Sequence, residues 1–184
     1  MLSGSDLWIV AALAAACAVT AGIVAAMGAR RHKRNSILRD VLKVCFVYNL
    51  AVVLFLTMRP SAIYKTYAVH LIPFSTIAAY FRHVAEGTLD LPTILYNMAG
   101  NALLLLPTGL LLPAIWPVFR RFWKCLLVCA LFSIGIEVIQ FLLTAAGLIS
   151  RTTDIDDVIL NILGAAAGYG LFSLKRSLTA HRQS

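Results

Sequence analysis

Residues able to do chemistry are scarce in this chain, and most crowd into "SRTTDIDDVILNILGAAAGYG", residues 150–170. Arg151, Asp154 and Asp157 follow one another at intervals of three, and Asn161 comes four later. On a helix such steps trace one face. Glu137 and Gln140, with Ser133 and Thr144, make a second stripe in "SIGIEVIQFLLT". Asn97 and Asn101 make a third in "YNMAGNALLLLPTG", where Gly100 and Thr108 fall on the same face. Carboxylates in such a set can take a proton or accept ligand N–H and O–H groups, and arginine can hold a phosphate. The sequence contains no recognised nucleophile–base–orienter triad, no phosphate loop and no cluster with metal-ligand spacing. Cys17, Cys45, Cys125 and Cys129 fall inside apolar runs and read as packing residues. No cofactor or metal is expected, and catalysis is less expected than binding.

The elements that must position these residues follow from composition. The chain has 184 residues, 60% of them hydrophobic and 13% charged, against roughly 45–50% and 25% for a soluble domain. That defines an integral membrane protein. A spanning helix needs about 20 largely apolar residues, and five segments qualify: Leu7–Ala29, Val41–Met58, Ile94–Ile115, Cys125–Ala146 and Asp157–Leu174. The predicted fold is all-α and polytopic. Its expected organisation is an N-terminal anchor with a basic loop (1–40), a four-helix membrane domain (41–174) and a basic tail (175–184). The connection Arg59–Thr93 is itself fairly apolar and is expected to lie in the membrane interface or to re-enter it.

Charge placement sets the expected orientation. Arg30, Arg31, Lys33, Arg34, Arg39 and Lys43 make the first connection strongly positive, Arg120, Arg121 and Lys124 the third, and Lys175, Arg176 and Arg182 the tail. The second connection is nearly balanced, and the fourth is acidic. Cytoplasmic loops retain Lys and Arg, so the N-terminus is expected outside and the C-terminus inside, in the plasma membrane. The net charge of +8 is thus a topology signal that touches anionic lipid at most, and nucleic acid is not an expected partner. "MLSGSD" lacks the basic n-region of a signal peptide, so the first segment is expected to be a retained anchor. Trp8, Trp116 and Trp123 read as interface anchors.

In this orientation the polar groups gather in the outer half. Glu137 lies 13 residues beyond Lys124, about 20 Å along a helix axis and past the middle of a hydrocarbon core ~30 Å thick. A central acid costs roughly 2.5–3.5 kcal/mol on insertion scales, which marks Glu137 as a site residue or the partner of a buried arginine. Asp154 is placed to cap the last helix, and the helix dipole favours anions there. Asp156, about 100° round the helix from Asp157, is expected to point to headgroups or water. Gly164 and Gly168 form a seam for close helix approach. Asn49, in the middle of its segment, reads as interhelical glue, and Pro107 and Pro113 are expected to bend their helix. His70 and His83 read as ordinary loop residues. A short echo, an arginine after the second and fourth segments and Asn-x-x-Gly in the third and fifth, fits two hairpins facing one pocket. The expected binding set is Arg59, Asn97, Asn101, Glu137, Gln140, Arg151, Asp154, Asp157 and Asn161.

With these pieces in place the chain resembles the VanZ-like membrane proteins. The resemblance rests on "MRP" at 58–60, "LIPFSTI" at 71–77, "NMAGNALLLLPTGLLLP" at 97–113, "IEVIQ" at 136–140 and "RTTDIDDVILNILGAAAGYG" from Arg151. It departs at His70, where asparagine is common. The resemblance implies low-level resistance to glycopeptide antibiotics, teicoplanin above all, with no established reaction. Such drugs act outside the cell on the D-Ala-D-Ala end of membrane-anchored wall precursors, and teicoplanin carries an acyl chain. The expected partners are therefore membrane lipids, with a lipid-linked peptidoglycan precursor or a lipoglycopeptide as ligand; the alternative is an enzyme that modifies an envelope lipid, with Glu137 or Asp157 as general base and Arg59 or Arg151 holding phosphate.

The orientation is open to direct measurement. Single cysteines placed at Glu86 and Thr152 should react with an impermeant thiol reagent in intact cells, whereas cysteines at Lys33 and Arg121 should not; labelling at Lys33 would invert the arrangement.

Overall fold

The computed structural model describes residues 14–24, 26, 34–58 and 69–181. Helix α1 (Ala14–Val24) is a short apolar helix. It is followed by α2 (Arg34–Met58), strand β1 (Val69–His70), α3 (Ser75–Ala85), α4 (Leu91–Leu104), α5 (Leu106–Ile115), α6 (Phe122–Ala145), β2 (Thr153–Asp154) and α7 (Ile155–His181). Among the described residues four stretches are long and apolar enough to cross a membrane: Ile37–Met58, Ile94–Ile115, Phe122–Ala145 and Ile155–Ala180. They correspond to the second to fifth predicted segments. Of the first, only 14–24 and 26 are described, and Trp8, Arg30, Arg31, Lys33 and Arg59 lie outside the described residues. The chain is an all-α polytopic membrane protein, because lipid offers no partner to open backbone and a helix satisfies its own.

The third segment is two helices rather than one. Leu105 leaves helical geometry (φ −99°, ψ 2°) between α4 and α5, with Pro107 in the first turn of α5. Proline has no N–H for the carbonyl one turn back, and its ring crowds that carbonyl. The face expected to carry Asn97, Asn101 and Thr108 together is therefore divided. Asn101 turns to α7, while the Thr108 hydroxyl donates to Asn49 Oδ1 on α2 at 2.7 Å.

Helix α7 is the centre of the bundle, packed on α4, α5 and α6, with α2 against α5. Its glycines explain how close it comes. A β-carbon on Gly164 would collide with the carbonyl of Ala102, and one on Gly168 with that of Leu106. Gly109 of α5 stands in the same relation to Ala165. Small residues permit this approach, which gains dispersion contacts where lipid supplies no hydrophobic drive. The seam read from Gly164 and Gly168 is thus the α4–α5 face.

The two ends of the bundle differ in charge. Arg39 and Lys43 on α2, Arg120, Arg121 and Lys124 around the start of α6, and Lys175 and Arg176 on α7 lie towards one end. There Phe46 meets Trp116, and the Tyr169 hydroxyl donates to the Arg120 carbonyl. Helix α7 passes the expected limit at Leu174, and its 27 residues rise about 40 Å, more than a core of ~30 Å. Its basic last turns therefore stand clear of the hydrocarbon.

Gly164→Ala and Gly168→Ala should each destabilise the protein by about 1–3 kcal/mol, the usual cost of forcing a methyl group into close packing. Gly170→Ala, whose β-carbon would meet nothing within 4 Å, should be neutral. Fluorescence-detected thermal unfolding in detergent separates these outcomes.

Candidate functional site

The opposite end is built where α6 turns into α7. Helix α6 closes on Gly147 at φ 72°, with Gly147 N–H donating to Thr144 O and Leu148 N–H to Leu143 O, both at 2.9 Å. This paired closure requires a left-handed residue, which glycine adopts at no steric cost. The Thr144 hydroxyl then reaches the Arg151 carbonyl at 3.4 Å, holding the returning chain beside α6. Strand β2 follows at once and pairs in parallel with β1, Val69 opposite Thr153 and His70 opposite Asp154. The loop expected at the interface is therefore tied into the bundle by backbone bonds.

Three aspartates at the start of α7 point at three different elements. Asp154 is the cap, as its position implied: its Oδ1 accepts the Asp156 N–H at 2.9 Å, and its own N–H donates to Glu137 Oε2 at 3.0 Å. Asp157 accepts a bond from the Asn101 amide of α4. Asp156 corrects the expectation that it faces headgroups or water. It is 1% exposed and accepts backbone N–H groups from Phe74, Thr76 (3.0 Å) and Ile77 (3.1 Å). These belong to the first turn of α3, whose N-cap position is held by Phe74 without any side-chain cap. Phe74 is left-handed at φ 65°, a conformation costing a bulky residue on the order of 1–3 kcal/mol. Hydrogen bonds to a charged group contribute about 1.5–3 kcal/mol each, so three of them outweigh that strain.

The remaining expected residues divide between cluster and scaffold. Glu137 is 7% exposed and accepts the Asp154 N–H, and the charges of Asp154 and Arg151 act on both Glu137 and Asp157. Asn161, one turn beyond Asp157, donates to the Ser133 hydroxyl at 2.9 Å, and its carbonyl oxygen is buried without a hydrogen-bond partner among the described residues. Gln140 donates to Thr57 O at 2.6 Å and so satisfies a carbonyl of the last turn of α2, which the helix itself leaves open. Asn97 is half-buried one turn before Asn101. The structure thus brings together Glu137, Arg151, Asp154, Asp157, Asn101 and Asn161. Arg59 lies outside the described residues. His70 bonds Thr76 through its ring at 2.9 Å, and His83 bonds Thr88 at 3.0 Å.

Two features were missed in the sequence, the Asp156 clamp and the β1–β2 pairing. The available signal was that Asp154, Asp156 and Asp157 cannot share one helix face, so at least one needed a partner elsewhere. That partner is backbone some 80 residues away, and backbone leaves no mark in sequence. Beside the cluster, a cavity of about 310 Å³ runs between β1, α6 and the start of α7. Glu137, Thr153 and Asp154 border it, and the rest of its lining is apolar. Among the described residues no group of three or more His, Cys, Asp or Glu has the arrangement of a metal site.

These features define a class: a polytopic α-helical membrane protein with an acidic, acceptor-rich corner at one end and a basic rim at the other. The model of the VanZ/LLP1 family matches residues 41–176, and the chain belongs to that family. No curated protein and no solved structure matches it.

Asp156→Asn should lower stability by about 2 kcal/mol or more, since an amide offers one acceptor oxygen where three N–H groups need two. Hydrogen exchange should quicken first in 72–80, and a mild effect confined to function would contradict the clamp.

Proposed function

We propose that this VanZ-family protein is a binding protein of the outer leaflet of the plasma membrane. It engages a lipid-linked wall precursor or a lipidated glycopeptide and confers low-level glycopeptide resistance. The observation that carries this reading is the segregation of polar groups. Glu137, Asp157, Asn101 and Asn161 lie at the end of the bundle away from Arg120, Arg121, Lys124, Lys175 and Arg176. By the preference of basic residues for the cytoplasmic side, the polar corner then opens outward. That is the leaflet where lipid-anchored precursors and acylated drugs meet.

A second reading, an enzyme acting on an envelope lipid, is favoured by the charge of Arg151 acting on both Glu137 and Asp157. Here one carboxylate would serve as general base and Arg151 would hold a phosphate. Lipid profiling of cells with and without the protein distinguishes the two, because only the enzyme must change a lipid's covalent structure.

In a susceptible host, expression should raise the inhibitory concentration of teicoplanin more than that of unacylated vancomycin. Glu137→Gln should abolish the effect while membrane abundance stays within about twofold, a change in folded population of under 0.5 kcal/mol. Loss of abundance in step with resistance would make Glu137 a scaffold residue.

A further inference from the structure

The basic end of the bundle is stepped. Tyr169 of α7 donates its hydroxyl to the Arg120 carbonyl at 2.5 Å, and its ring meets that of Phe122 with centroids 5.3 Å apart. These contacts set Tyr169 level with the start of α6. Helix α7 then runs on past that level. Arg176 follows Tyr169 by seven residues, about 10 Å of rise, against a headgroup layer roughly 5–8 Å deep. The start of α6 is therefore a ledge, and the last turns of α7 are a wall beside it. Tyr169, Phe172 and Arg176 step by three and four and share one face, and the Tyr169 ring also meets that of Phe172. Arg176 lies within about 20° of Tyr169 round the axis, whereas Lys175 lies about 120° away. Arg176 is thus carried on the side of the ledge, and Lys175 is not.

The charge on this ledge is uncompensated. Arg120, Arg121 and Lys124 are exposed there, and neither they nor Arg176 makes an ion pair among the described residues. Asp40, the carboxylate towards this end, is taken by Lys43 at 3.1 Å. Apolar rings stand among the cations: Trp123 is 77% exposed and Phe122 36%. Free cations beside exposed rings at the edge of a lipid core suit an amphiphile with an anionic head. Guanidinium groups hold phosphate through parallel N–H bonds, and tryptophan rests at headgroup level with its apolar body towards the chains. A zwitterionic headgroup would bring its own cation to the same ledge, where like charges repel. A water-soluble polyanion would use the cations but leave the Trp123 ring uncovered.

We propose that the ledge between the start of α6 and the end of α7 docks the headgroup of an anionic phospholipid, its phosphate held by Arg120, Arg121 and Arg176 and its first chain carbons against Trp123. The docked lipid braces α7 against α6 at the level where α7 leaves the hydrocarbon. This surface lies at the opposite end of the bundle from Glu137 and Asp157, so its success or failure leaves the outer-leaflet reading unchanged.

Native mass spectrometry tests this on the full chain, purified in an uncharged detergent and offered equimolar phosphatidylglycerol and phosphatidylcholine with the same chains. Phosphatidylglycerol should be retained at one molecule per chain, at least fivefold over phosphatidylcholine. Arg176→Gln should weaken that retention about fivefold, the contribution of one cation close to anionic lipid, and Arg120→Gln should act alike. Lys175→Gln, which removes the same charge from another face, should change it less than twofold. All three positions are exposed, so thermal unfolding without added lipid should match the parent in each variant. Equal retention of the two lipids overturns the proposal. Equal losses from Arg176→Gln and Lys175→Gln overturn it too, because they mark a diffuse attraction of the basic end for any anionic surface. Glycerophosphoglycerol, the same headgroup without chains, should not displace the lipid at equal concentration, and displacement would also count against the docked lipid.

Discussion

Hydrocarbon offers buried polar groups no water, and the start of α7 meets that constraint by sending each of its aspartates to a different neighbour. Asp154 closes its own helix and presents its N–H to Glu137 of α6. Asp156 takes up the first turn of α3, and Asp157 takes the Asn101 amide of α4. Successive helical residues diverge by about 100°, so three acids within four positions are well suited to tie three elements to one point. The polar corner and the anchored loop both depend on this junction.

The seam below it works by a different force. Gly164, Gly168 and Gly109 let α7 and the α4–α5 pair approach until backbone meets backbone, and the gain there is close packing. Directional bonds at the upper end fix rotation and depth, and the glycines fix distance. Gln140 against Thr57 and Thr108 against Asn49 then draw α2 in. Individual bonds of this kind in membranes contribute only about 0.6 kcal/mol on average, so α2 is held by several weak contacts.

Helices α6 and α7 carry Glu137, Asp157 and Asn161, while the loop facing them is joined by the two-residue β1–β2 pairing and the Asp156 carboxylate. The break at Leu105 separates α4 from α5. It lets α4 meet Asp157 and Gly164 while α5 packs on Gly168 and turns Thr108 to α2.

Much of this was legible in the residues themselves. Apolar run lengths located four spans, since a lipid core of fixed thickness demands them. The steps of three and four marked the buried stripes of α6 and α7, because helical geometry turns spacing directly into facing. Glycine spacing announced the seam, and Asp154 announced the cap. Tertiary structure alone decided what those groups meet. That Asp156 binds α3 backbone, that Gln140 closes α2, and that Asn101 and Thr108 part company at Leu105 all depend on elements distant in sequence. Periodicity reports which face a residue occupies, but the identity of a backbone partner is not encoded by any side chain, so only the packed bundle could reveal it.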